Sequence, residues 1–208
     1  MAIGNNDTKK NYYVKVLGLK KGSTDPVQFQ FQTKNDAPTG EDDKYLVQTS
    51  TEFNGKLVEC KHKTYTHEDE TIDQVELKFE DGEERYILRM GVSGFSTQIL
   101  NSLASQEQLG DVRIALSRYN GYASAWIENN GEKCNWKYDY KETIAPMITK
   151  AKVGKKEVID SSERDKWVIN NLIPEVDSVT YTPTNETTTT SEPQTVEAVN
   201  EEESDLPF

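Results

Sequence analysis

Residues 27–33, Val-Gln-Phe-Gln-Phe-Gln-Thr, carry the reading on which the fold class rests. Val27, Phe29 and Phe31 alternate with Gln28, Gln30 and Gln32, the period-two pattern of a strand with one buried face. Working outward, 12–19 (YYVKVLGL) is short, rich in aromatic and β-branched types and set off by Gly22, Asp25 and Pro26, so it reads as a preceding strand. After a loop at 34–43 come strand candidates at 44–50, 56–66, 72–79 and 84–90, with Asn54-Gly55 and Asp81-Gly82 as tight turns. Ser96 is the expected N-cap of a short helix near 96–104, whose Ile99, Leu100 and Leu103 recur at helical spacing. Strands resume at 111–118, 122–128 and 133–140, joined as a meander through Asn120-Gly121 and through Asn129, Asn130 and Gly131. A second helix is expected near 162–173, with Ser162 and Asp165 as a capping box and Pro174 as its stop. The chain is therefore expected to be mainly β.

Charge divides the chain in two. The formal net charge is -12, yet every Lys and Arg lies at or before Lys166. Residues 1–176 hold 24 basic and 28 acidic groups, whereas 177–208 hold eight acidic groups and no basic one. Beyond Val176 the composition turns to Thr, Glu, Pro, Asn and Ser, the signature of disorder. The expected organisation is a folded body, 1–176, and a disordered acidic tail, 177–208. Two cysteines are too few for a disulfide framework, and Met1 to Asn6 lack the charged and apolar regions of a signal peptide. No apolar run approaches the roughly 20 residues needed to cross a bilayer, so a cytoplasmic chain is expected.

Chemistry-bearing patterns are sparse. Cys60, His62, His67 and Cys134 lack the paired spacing of a zinc site, and Glu68, Asp69 and Glu70 have no second acidic cluster to complete a two-metal centre. Neither a Walker-type phosphate loop nor a nucleophile elbow is present. No enzyme activity, metal or cofactor is expected. Binding a single strand without reading its sequence needs aromatic faces for bases and cations for phosphates, and two stretches offer both. Tyr119 and Tyr122 flank a hairpin tip, Trp126 follows, and the next expected strand brings Lys133, Trp136, Lys137, Tyr138, Tyr140 and Lys141, with Trp136, Tyr138 and Tyr140 on one face. Along 56–66, Lys61, Lys63 and Tyr65 share a strand face, with Lys56 at the turn. Core packing is the competing explanation for Trp136 and Tyr138, and a solvated strand face for the lysines.

The last eight residues, Glu201 to Phe208 (EEESDLPF), end an acidic stretch on apolar side chains. An aromatic ring beside the terminal carboxylate, stiffened by Pro207, suits a small apolar pocket rimmed by Lys or Arg. In Asp205, Leu206, Pro207 and Phe208, with Glu201, Glu202 and Glu203 leading in, the chain resembles single-stranded-DNA-binding proteins of bacteria and their phages. That resemblance implies an OB-fold body, a five-stranded barrel with a helix between its third and fourth strands, here enlarged by extra strands. It also implies single-stranded DNA as ligand and a role in DNA replication, recombination or repair. The protein-docking tip, Asp205 to Phe208, is then what recruits replication or recombination partners. The short Thr/Glu-rich linker points to a phage member acting in the host cytoplasm. Two other classes fit the tail equally: a structural or virion protein, and a replication adaptor that does not bind DNA.

Overall fold

The computed structural model describes residues 9–39, 44–67, 70–153 and 156–181. The alternating stretch forms a strand as its pattern requires: Gln28–Lys34 (β2) buries Phe29, Phe31 and Thr33 and turns its glutamines outward. It pairs antiparallel with Lys10–Leu17 (β1) on one side and with Tyr45–Ser50 (β3) on the other. Glu52–His67 (β4), Glu70–Asp81 (β5) and Glu84–Gly91 (β6) follow as antiparallel neighbours. Gly94–Leu103 (α1) then leads to Asp111–Tyr119 (β7), Tyr122–Asn129 (β8) and the two-residue Glu132–Lys133 (β9). These nine strands make one mixed sheet in the order β3-β2-β1-β6-β5-β4-β7-β8-β9, and β1 against β6 is its parallel pair.

The sheet is not closed as a barrel, which corrects the expected architecture. In the run β4-β5-β6-α1-β7-β8, closure requires the outer strands β6 and β8 to meet. The free edge of β6 is instead taken by β1, with Tyr12 opposite Tyr86, and that of β8 by β9. The sheet nevertheless coils, because β3 runs into β4 through Thr51 alone and Leu116 donates its backbone N–H to the Thr51 carbonyl at 2.7 Å. Phe29 and Phe31 of β2 thereby meet Phe53 of β4 at ring-centroid distances of 5.9 and 6.1 Å. Phe79 and Tyr86 complete this aromatic centre, at 4.7 and 5.2 Å from Phe53.

Helices cover the remaining core. Ile99, Leu100 and Leu103 of α1 are fully buried, as sequence spacing predicts. The cap lies three residues earlier than expected: Ser93 and Ser96 form a reciprocal capping box, so Ser96 is its third helical residue. Near the C-terminus, Ser162–Trp167 (α2) passes through a wider π-type turn, Val168–Leu172, into Ile173–Ser178 (α3). Pro174 does not stop this helical run. It sits in the first turn of α3, where a missing N–H costs nothing. Nor do Ser162 and Asp165 form a box; the Asp160 carboxylate accepts the Ser162 N–H at 2.9 Å and Ser161 donates to Asp165 at 3.0 Å.

Two further expectations give way, and one hairpin appears that none had named. Asn54 and Gly55 lie inside β4, where an added Cβ on Gly55 would stand 3.1 Å from that of Phe79. Thr149–Val153 (β10) and Lys156–Asp160 (β11) form a separate hairpin that sequence did not signal. The body also extends past Val176. Asp177 accepts the Cys60 backbone N–H at 2.8 Å, Val179 accepts from Leu109 at 2.8 Å and Tyr181 donates to the Leu57 carbonyl at 2.7 Å. No helix among the described residues is long and apolar enough to cross a membrane.

Candidate functional site

The β7–β8 tip is built by Asn120 and Gly121, both at positive φ (49° and 79°), the two-residue turn that matches strand twist. It displays Tyr119, 71% exposed, directly across from Tyr122. Beside it, Arg118 holds the 18–26 loop against the tip. Its guanidinium donates to the carbonyls of Gly18 (2.5 Å), Asp25 (2.9 Å), Lys20 (3.2 Å) and Gly121 (3.2 Å). Gly18, at φ 75°, closes this loop so tightly that a Cβ would lie 2.3 Å from the Pro26 carbonyl oxygen. The clamp carries Lys21 to 4.7 Å above the Tyr122 ring. Sequence spacing gave no sign of that contact, because the two residues are about 100 positions apart.

Farther along β8, Trp126 is exposed and Lys133 lies 4.3 Å from its ring centroid. The indole N–H donates to Glu128 at 3.0 Å, and Arg113 binds the other carboxylate oxygen, also at 3.0 Å. The Arg113 guanidinium, helped by the indole, holds the Glu128 carboxyl below its ordinary range.

The expected strand 133–140 does not form beyond Lys133. The buried Asn101 of α1 reaches across to this segment: its amide donates to the Tyr138 carbonyl and accepts the Tyr138 N–H, each at 2.9 Å. With backbone groups satisfied by a side chain, the segment leaves the sheet and Tyr140–Ile144 coils into a π-type turn capped by Asp139. Trp136, Tyr138 and Tyr140 therefore share no strand face. Trp136 and Tyr140 are each 46% exposed with centroids 6.2 Å apart, whereas Tyr138 packs edge-on to Trp167 at 5.2 Å and donates to Glu175 at 2.9 Å. Lys137 is ion-paired with the same Glu175. Lys137 and Tyr138 thus tie the segment to α3.

Trp136, Tyr140 and Tyr122 line one cleft of about 740 Å³ over the N-terminal half of α1. Its other walls include Leu19, Phe95 and Ile159, with Lys150 and Arg164 as its cations. A smaller hollow of about 350 Å³ joins Trp136 to Trp126 and Lys133. The structure thus brings together Tyr122, Trp126, Lys133, Trp136 and Tyr140 of the expected stretches, with Tyr119 at the adjoining tip, and adds Lys21 and Lys150.

Lys56, Lys61, Lys63 and Tyr65 stand elsewhere. Lys56 is opposite Asp111 at the start of β7; from there β4 carries Lys61, Lys63 and Tyr65 one way while β7 runs the other way to Tyr119. Lys56 lies over the Tyr181 ring at 4.7 Å, and Lys61 shares the Glu59 carboxylate with Lys78. Both thiols are buried; burial pushes Cys134 up to about 11 and Cys60 higher still, so neither is a nucleophile near neutral pH. The tip residues Asp205, Leu206, Pro207 and Phe208 lie outside the described residues. No family model, no curated protein and no solved structure matches the chain.

Proposed function

We propose that this chain binds single-stranded DNA without sequence preference in replication or recombination, as a phage protein would, and recruits partners through its acidic tip. The supporting observation is the cluster of exposed rings with cations at hand: Lys21 by Tyr122 and Lys133 by Trp126, on either side of Trp136 and Tyr140. A single strand offers unpaired bases to such rings and phosphates to such lysines, and duplex DNA offers only the second. The chain order β4, β5, β6, α1, β7, β8 supports reading this part as a diverged, opened OB-type core, with β1 standing beside β6 where the closing strand would lie.

The test is quenching of the three tryptophans by oligo-dT and by duplex of equal length, repeated over a range of salt. Tighter binding to the single strand is expected, with a log-log salt slope of about -0.7 per phosphate contacted. Tyr122→Ala and Trp136→Ala should each lose roughly 1–3 kcal/mol of binding if their rings stack on bases. Equal affinity for duplex, or none for either, rejects the proposal.

One observation favours the structural or adaptor reading instead. The edge strand β3 exposes Tyr45, Leu46 and Val47 with no proline among its residues, the kind of edge to which another chain adds a strand. The same titration separates the readings, since an adaptor binds no oligonucleotide.

A further inference from the structure

We infer that the first turn of α1 and the Arg164 side chain form a phosphate subsite in the cleft, which seats one phosphate of the bound single strand. The inference rests on the single-strand reading above and names the donors that would hold the backbone there. Ser93, Gly94, Phe95 and Thr97 all line the cleft, so α1 opens into it by its N-terminal end. The capping box occupies two donors, with the Ser96 N–H on the Ser93 hydroxyl and the Ser93 N–H on the Ser96 hydroxyl. Thr97 N–H returns to the Ser93 carbonyl at 2.9 Å. The N–H groups of Gly94 and Phe95, the first two residues of this ten-residue helix, make no bond among the described residues. They stand where a helix concentrates its positive end.

A buried side chain points to the same place. Arg164, in α2, is 9% exposed and also lines the cleft. Its Nε and Nη2 both donate to one carboxylate oxygen of Asp165, at 2.8 and 2.5 Å, and Ser161 takes the other oxygen. The remaining amino group, Nη1, makes no hydrogen bond among the described residues, and a buried guanidinium is under-satisfied until a further acceptor arrives. Nη1 stands 3.6 Å from where a Cβ on Gly94 would lie. Because residue 94 is glycine, the unmatched amino group and the open helix end face one shared space. Backbone N–H groups at a helix start together with a guanidinium suit the oxygens of a phosphate. Tyr122, Trp136 and Tyr140 line the same cleft, so a base joined to that phosphate has rings to lie against. The volume of about 740 Å³ is in the range of sites that enclose small ligands.

The experiment titrates the full chain with oligo-dT at several salt concentrations, reading tryptophan fluorescence, and repeats this on Gly94→Glu. The new carboxylate would sit beside Nη1 at a helix start, where an acid is favourable, and so fill the subsite from within the chain. This variant should unfold at or above the wild-type temperature, yet bind oligo-dT about ten-fold more weakly, the worth of one charged hydrogen-bonded contact. Its log-log salt slope should fall in magnitude by about 0.7. Ala37→Glu adds the same charge on an exposed loop that lines no part of the cleft, and should match the wild type. A second measurement needs no variant: the wild-type chain should bind 5′-dTMP about ten-fold more tightly than thymidine, which carries the same base without the phosphate. Equal binding of dTMP and thymidine, or a folded Gly94→Glu chain with wild-type affinity and slope, overturns the subsite and leaves the single-strand reading standing. A wild-type chain that binds no oligo-dT overturns both.

Discussion

Replacing Asn101 with Ala tests how the aromatic segment is held. Asn101 is fully buried, and its side-chain amide makes two hydrogen bonds of 2.9 Å to the backbone of Tyr138. Truncation deletes both and leaves one N–H and one C=O without protein partners. A backbone group so stranded costs about 1–3 kcal/mol, and Tyr138 is only half-buried, so water recovers part of the loss. The two together should cost about 3 kcal/mol. The Lys137 N–H bond to the Asn101 carbonyl is backbone and survives. For a body of this size, with a urea m-value of about 3 kcal/mol/M, the unfolding midpoint should fall by about 1 M. Asn101→Asp supplies an internal check. At neutral pH it keeps the acceptor for Tyr138 N–H but buries a carboxylate beside a carbonyl, so it should be at least as damaging. Below the carboxyl's own pKa the acid regains a donor, and the deficit relative to wild type should narrow. Oligo-dT affinity should drop in Asn101→Ala as well, because Trp136 and Tyr140 flank the anchored residue. A midpoint shift below about 0.3 M with unchanged binding would show that the segment is held by its side-chain packing and not by the amide.

Arg118→Ala should lower stability by about 2 kcal/mol, less than four charged hydrogen bonds suggest, because several of the carbonyls face solvent. Arg118→Lys should recover less than half of that in urea unfolding, since one ammonium cannot span the fork. Full rescue by lysine would mean that charge alone holds the loop. Glu128 provides a pH-dependent check. Its carboxyl is held low by Arg113 and the Trp126 indole, so its contribution is complete above the unfolded-state value of about 4.3 and is lost as pH falls through the lower folded value. Stability measured from pH 6 downward should therefore decline less steeply in Glu128→Gln than in wild type, and Trp126 emission should change over the same acid window; parallel curves refute the assignment.

Much of the sheet was legible because its strands alternate strongly, β2 above all, and because Asn-Gly at 120–121 admits few turns. What failed to show are decisions made by partners distant in sequence. A strand at 133–140 is locally reasonable, and only the buried amide of Asn101 diverts it. Barrel closure depends on which strand pairs with the β6 edge, here β1 and not β8, and no local pattern records that choice. Asn54-Gly55 has the composition of a turn, but its glycine serves close packing under Phe79. For the candidate site, Tyr122, Trp126 and Trp136 are exposed rings, but residue type left Trp136 open between core and surface. It did not separate them from Tyr138, nor did it bring in Lys21, whose place depends on the Arg118 clamp.

The seating of residues 177–181 bears on how charge in this chain can be studied. A chain ended at Val176 discards the acidic stretch, but it also strips partners from Cys60 N–H, Leu109 N–H and the Leu57 carbonyl. Any gain in DNA affinity from relieved repulsion would then be mixed with damage to a body that had lost its last clasp. A stop placed after Tyr181 keeps those three bonds and the ring under Lys56, while removing seven of the eight acidic groups found in 177–208. Five residues of sequence thus separate an electrostatic experiment from an unfolding one.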